Sequence, residues 1–191
     1  MTEPPGRRER KKAATRQKIA DTALRLFLER GYDAVGIRDV AAASDVAVTT
    51  VFSHFASKEA LVFERDQDFE QRLTRAVTDR PPHEPLIAAL HREVQALVRH
   101  CTAEGSAPVR RMIEGSPALQ KYEESMSLRH AQALAAALAA DPHLSRSATA
   151  CRATARFVID AYSLACQADD PGATTDEVFR MIEAAWDATA P

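Results

Sequence analysis

Asparagine is absent from this 191-residue chain, glycine occurs 6 times and cysteine 3 times. Each scarcity excludes something. Without asparagine, the paired hydrogen bond from an Asn amide to adenine is denied to any site the chain builds, so base readout would fall to hydroxyl, imidazole, apolar or Arg and Lys contacts. Few glycines, abundant alanine and no β-branched alternation leave no signal for strands and predict an all-α protein. Cys101, Cys151 and Cys166 lie far apart without C-x-x-C spacing. Cys151 and Cys166 read as small buried hydrophobes, while Cys101, next to His100 near a helix end, leaves a thiol sensor open. No apolar run is long enough for a signal peptide or a membrane span, which predicts a cytoplasmic chain with no membrane partner.

The motifs of catalysis are missing too. There is no G-x-S-x-G, no phosphate loop and no H-E-x-x-H. His83, His91, His100, His130 and His143 are scattered, and the adjacent acids Glu123-Glu124 and Asp169-Asp170 point their carboxylates apart. The chain is therefore expected to be no enzyme and to hold no metal or cofactor.

Charge is present but unevenly placed. Residues 1–60 carry 11 Lys and Arg against 8 Asp and Glu, leaving 14 against 19 for the rest. A basic head on an acidic body orients a molecule toward nucleic acid. Between Arg7 and Lys18, Arg8, Arg10, Lys11, Lys12 and Arg16 face the single acid Glu9, an arm suited to phosphates or a minor groove and otherwise a solvated tail.

Residues 37–58 predict two very short helices joined by a tight turn. Val40, Ala41, Val46, Val51, Phe52 and Phe55 place apolar side chains so that the two helices can cross on one small core. The turn falls at Ser44-Asp45, and Asp tolerates the left-handed backbone such a turn requires. The outer face of the second helix is then short and polar: Thr49, Thr50, Ser53 and His54. Side chains of that size let a helix lie deep in the major groove. Ile19, Ala23, Leu26 and Phe27 recur at helical spacing ahead of it, and Gly31 ends that supporting helix.

The segments Thr15 to Tyr32, Ile37 to Thr49 and Phe52 to Leu61 resemble the N-terminal domain of the TetR family of transcriptional regulators, over about residues 12 to 62. The resemblance implies an all-helical homodimer with a ligand-binding C-terminal domain, usually a repressor released from a near-palindromic operator by a small molecule, in a bacterial cytoplasm and on the nucleoid when DNA-bound. It assigns double-stranded DNA contacts to Arg10, Lys11, Arg38, Ala47, Val48, Thr49, Thr50, Phe52, Ser53, His54 and Lys58. Three departures stand out. Gly36 replaces a Thr that opens the second helix in many members, Ala47 replaces a capping Ser or Thr, and Phe52 replaces a Tyr whose phenol would meet a phosphate. More of the phosphate contact then falls to Thr50, His54 and Lys58. A constitutive or architectural DNA-binding regulator without a ligand is the alternative.

The rest of the chain predicts further helices, about nine in all, and three parts: a basic flexible arm over 1–12, the head over 13–57, and a ligand-binding and dimerisation body over 58–191. One helix is expected from Lys58 to about Asp79, ended by the prolines of residues 80–85. Others are expected from Leu86 to about Gly105, Pro108 to Glu114, Ser116-Pro117 to Ala140, and from Asp141-Pro142 to about Ala168. The last is expected from a Thr175-Asp176 cap after a Pro171-Gly172 turn. Its alanines, with those of the helix before it, would let the pair pack against a second copy as a four-helix bundle, or else form an ordinary core. Soft and aromatic residues on the middle helices, Phe63, Phe69, Leu90, Val94, Met112, Tyr122, Met126, His130, Phe157 and Tyr162, are the candidate lining for a mostly apolar ligand, and plain core is the other reading.

Overall fold

The computed structural model describes residues 6–64, 68–81, 83–103 and 105–189. These residues form α1 (Arg7–Arg30), α2 (Ile37–Ala43), α3 (Val48–His54), a 3-10 turn (Glu59–Leu61), α4 (Phe69–Thr78), α5 (Leu86–Cys101), α6 (Ala107–Glu114), α7 (Pro117–Ala140), α8 (Ala148–Gln167) and α9 (Pro171–Asp187). No strand occurs among them.

The ends of α1 decide its length. Arg7 to Lys12, expected as part of a flexible arm, are its first turns. The reason is local: Arg, Lys, Glu and Ala are strong helix formers, and the Glu9 carboxylate accepts the otherwise unpaired Gly6 N–H at 3.2 Å. At the other end Gly31, with φ 89°, donates its N–H to the Phe27 carbonyl at 2.9 Å. Ile19, Ala20, Ala23, Leu26 and Phe27 form the buried stripe between those ends.

Two compact units emerge. One joins the described residues of 1–67 with Pro108–Gln120, and the other joins Asp68–Ala107 with the described residues from Lys121 onward. Residues 108–120, which the sequence places in the body, thus group with the head.

The helix expected from Lys58 to Asp79 does not form as one element. Leu61, Val62 and Phe63 are all buried, and three consecutive residues cannot share one face of an α-helix. The 3-10 turn covers only Glu59–Leu61, Val62 and Phe63 follow it, and α4 starts at Phe69. From there Phe69, Leu73 and Val77, spaced four apart, enter the core of the second unit.

That core is built from Leu90 and Val94 of α5, Leu134 and Leu138 of α7, Val158 and Ile159 of α8, and Phe179, Ile182 and Trp186 of α9. Burying such side chains is the main favourable term, at about 1.5–3 kcal/mol for each large one. Arg80 and Asp141 pin the proline-rich break, 3.1 Å apart with both side chains 9% exposed. Arg80 also donates to the Glu84 carbonyl at 2.6 Å.

Two helix starts differ from expectation. Asp141 is held by Arg80 and accepts the His143 N–H at 2.8 Å, so the chain stays non-helical until Ser147 caps α8 through the Ala150 N–H at 3.1 Å. The last helix is capped at Asp170, five residues ahead of Thr175. Asp170 accepts the Ala173 N–H at 2.9 Å and Pro171 occupies the first helical position, where its missing N–H costs nothing.

Candidate nucleic-acid interface

The turn between α2 and α3 is a Schellman motif. Val46 N–H reaches the Ala41 carbonyl at 3.0 Å and Asp45 N–H reaches Ala42 at 3.2 Å, while Asp45 adopts φ 53°. These are the bonds that end a helix with a left-handed residue. The Asp tolerance read from the sequence is thus put to use. Val40, Val51 and Phe55 seal the small core beneath.

Gly36 has a local reason. Its N–H donates to the Asp39 carboxylate at 2.7 Å, and a Cβ there would lie 3.3 Å from the same oxygen. The helix opening is therefore satisfied by Asp39 and not by the residue at the cap. Ala47 provides no side-chain cap to α3, as its identity implies.

Outward from α3 stand Thr49, Phe52 and Ser53, with Ala47 before them; Val48, Thr50 and His54 are half-buried. The Ser53 hydroxyl donates to the Thr50 carbonyl at 2.7 Å, so its free lone pairs make it an acceptor to anything facing the helix. Burial, reinforced by the charges of Arg16 and Lys12, holds the His54 imidazole below its ordinary value. At neutral pH this favours the uncharged ring. Arg10, Lys11 and Arg38 are exposed.

Lys58, expected to meet a phosphate, makes several contacts within the head. Its ammonium donates to the Tyr32 carbonyl at 2.6 Å and lies 4.0 Å from the Tyr32 ring centroid and 5.6 Å from that of Phe27. Tyr32 in turn donates its hydroxyl to Glu59 at 3.0 Å. A carbonyl and two aromatic faces hold the cation in the head.

Arg16, left in the general basic run by its sequence position, has a specific place. It donates from Nε and Nη2 to the two oxygens of Glu64 at 2.6 and 2.5 Å, donates from Nη1 to the His54 carbonyl, and sits 4.3 Å over the Phe55 ring. The acid that directly follows the apolar run Leu61-Val62-Phe63 is the weak signal that could have suggested the pair.

In the second unit, three residues expected to line a ligand site come together. The Phe69 ring stacks on His130 at 4.8 Å and meets Tyr162 edge-on at 4.7 Å. Burial holds His130 below its ordinary value, and Arg129 adds to the effect against the opposing pull of Glu70. Tyr122 and Met126 are half-buried along α7. Leu90 and Val94 are sealed in the core. Phe63 and Met112 belong to the first unit, where Met112 lines an open groove of about 390 Å³ with Phe27, Tyr32 and Arg111. Phe157 lies on the outer face of α8, 50% exposed, and is not among the residues the buried aromatic group assembles.

All three cysteines are free thiols, and burial pushes Cys151 up. Among the described residues no three His, Cys, Asp or Glu side chains are placed to hold a metal ion, and no helix is long and apolar enough to cross a membrane.

A short helix presenting small side chains, crossed through a Schellman turn and backed by a basic helix, defines a helix-turn-helix head. Comparison with known proteins agrees. Residues 19–64 match the family described as bacterial regulatory proteins, tetR family. The chain is 32% identical over 144 residues to the HTH-type transcriptional regulator TcmR of Streptomyces glaucescens, covering 69% of this chain and 64% of that protein, so the match spans just under two thirds of the relative's own length. Among solved structures, the TetR family repressor AlkX from a Dietzia strain, implicated in biodegradation of n-alkanes, superposes with a TM-score of 0.62 at 19% identity over 91% of this chain and 98% of the other. The multidrug binding protein EbrR, solved with malachite green, gives 0.57 at 21% identity over 89% and 96%. The protein belongs to the tetR family of bacterial regulatory proteins. Its relatives are transcriptional regulators, not enzymes.

Proposed function

We propose that this protein is a DNA-binding transcriptional regulator that acts as a homodimeric repressor and leaves a near-palindromic operator when a small, mostly apolar ligand binds. The single observation that carries the reading is the α2–turn–α3 head, with Thr49, Phe52 and Ser53 turned outward. Thr49 and Ser53 contact base edges, and Phe52 packs on a thymine methyl. Ala47, Val48, Thr50 and His54 lie close enough to approach the groove wall, and Arg10, Lys11 and Arg38 neutralise phosphates.

One recognition helix of this length buries too little surface for specific binding, and two placed about 34 Å apart read two half-sites. The outer faces of α8 and α9 support pairing. Phe157, Leu164 and Met181 are 50%, 53% and 66% exposed there, an apolar surface that a second copy would cover. The ligand is accommodated around Phe69, His130, Tyr162 and Met126, where aromatic faces and one neutral imidazole suit an apolar molecule with a single hydrogen-bonding group. EbrR, of the same fold, binds malachite green, a large aromatic dye, which supports the aromatic character of the ligand. Ligand shifts the population toward a geometry whose heads no longer match the groove, and only as far as its affinities for the two geometries differ. A constitutive regulator with the same head would bind operator and ignore ligand.

The test is selection of bound duplexes from random DNA with the full-length protein, followed by titration of the complex with apolar aromatic compounds. A selected sequence with two-fold symmetry, released by at least one compound, is the expected result. An asymmetric site, or a complex that every compound leaves intact, contradicts the dimeric or the ligand-responsive part respectively.

A further inference from the structure

Arg16 occupies the junction of three parts of the head. Its fork closes on both carboxylate oxygens of Glu64 at 2.6 and 2.5 Å, a third donor takes the carbonyl of His54, and its plane covers Phe55 at 4.3 Å. The two side chains are only 25% and 10% exposed. His54 is the last residue of α3, so its carbonyl is one of those a helix C-terminus leaves unpaired, where a cation is favoured. Glu64 is the last described residue before the chain leads on to α4.

We propose that Arg16 is the positioning residue of the DNA-reading head, fastening the C-terminal end of the recognition helix to Glu64 so that the helix follows the chain that leaves the head. The geometry requires coupling: Glu64 cannot be displaced without drawing α3 with it or opening a bidentate, largely desolvated pair. Arg16 therefore acts through the aim of α3 and not as a phosphate contact, since three of its donors are committed inside the head. The inference rests on the DNA-binding reading given above.

The experiment uses full-length protein and a duplex selected from random DNA, with a scrambled duplex beside it, read by fluorescence anisotropy across a salt series. Glu64→Gln, which keeps the shape of the side chain, and Arg16→Lys, which keeps the charge but not the fork, are each expected to weaken the selected duplex by about tenfold. Both are expected to leave the scrambled duplex within about twofold, with the slope of log affinity against log salt unchanged. Circular dichroism melts show that each variant is folded; if Arg16→Lys melts early, Glu64→Gln alone carries the test. The proposal is overturned if Glu64→Gln binds the selected duplex as wild type does, or if Arg16→Lys weakens both duplexes alike. A wild-type protein that prefers no selected duplex would overturn the DNA-binding reading itself.

Discussion

The Lys58 ammonium is bonded to the Tyr32 carbonyl at 2.6 Å and lies 4.0 Å from the centroid of that residue's ring. Together with the Tyr32–Glu59 hydrogen bond at 3.0 Å, this fastens the 3-10 turn to the loop after α1. Lys58→Met is therefore expected to destabilise the protein by about 1–2 kcal/mol through the lost charge-assisted bond and cation–π contact. Urea unfolding measures that loss. The salt slope of DNA binding is expected to stay unchanged, and a slope reduced by about one would return Lys58 to the phosphate contacts.

Asp45 holds φ 53°, which an L side chain adopts at a cost that glycine avoids. Asp45→Gly is expected to be neutral or stabilising by up to about 1 kcal/mol, and Asp45→Val to destabilise by about 1–2 kcal/mol. Ala47 has the extended backbone of a cap, φ −69° and ψ 150°, and no capping oxygen. Ala47→Ser is expected to add about 1 kcal/mol. Both are read from urea midpoints, and an unchanged midpoint for Asp45→Val would refute the strained turn.

Stability is expected to fall on mild acidification. His54 and His130 are both held below the ordinary value of 6.5, chiefly by burial, so near that pH the unfolded chain binds protons that the folded chain does not. Stability then rises with pH through this window and levels off above it. The urea midpoint at about pH 5.5 is expected to lie below that at about pH 7.5, and His130→Phe to flatten the difference. A midpoint that rises on acidification would reverse the account of both rings.

Phe157 and Met181 are 50% and 66% exposed on α8 and α9. Placing a carboxylate at either is harmless on a free surface and costly in an interface. Phe157→Asp is expected to convert a dimer to a monomer by light scattering while leaving helicity by circular dichroism intact. A variant that remains dimeric would move the interface elsewhere.

The head was largely legible because its signals are local. A left-handed position at Asp45, a terminating Gly31 and apolar residues at helical spacing each act within a few residues. Lys58 and Arg16 were not placed for a different reason: each reaches a backbone carbonyl, Tyr32 and His54 respectively, and a backbone acceptor leaves no trace in the sequence. Leu61 and Val62 read as apolar positions of one long helix with Phe63 on its flank, but all three are buried, and one helix face does not take three consecutive residues. In the second unit, helical period placed α5 and α7 well, while Ser147 and Asp170 competed with nearer alternatives as caps. Helical period, followed along α8, separates the inward aromatic from the outward one. Phe69, His130 and Tyr162 converge, whereas Phe157, off the stripe of Ala155, Val158, Ile159 and Tyr162, faces out.

Sequence reading by the α3 face is measured by anisotropy of the full-length protein on its selected duplex against a scrambled one, across a salt series. Saturable binding at two subunits per site, or a multiple, is expected, with a preference of about a thousandfold or more, and with loss of that preference in Thr49→Ala/Ser53→Ala while the salt slope is retained. Equal binding to both duplexes, falling steeply with salt and unaffected by those substitutions, would contradict it and leave only the basic surface of α1 in contact with DNA.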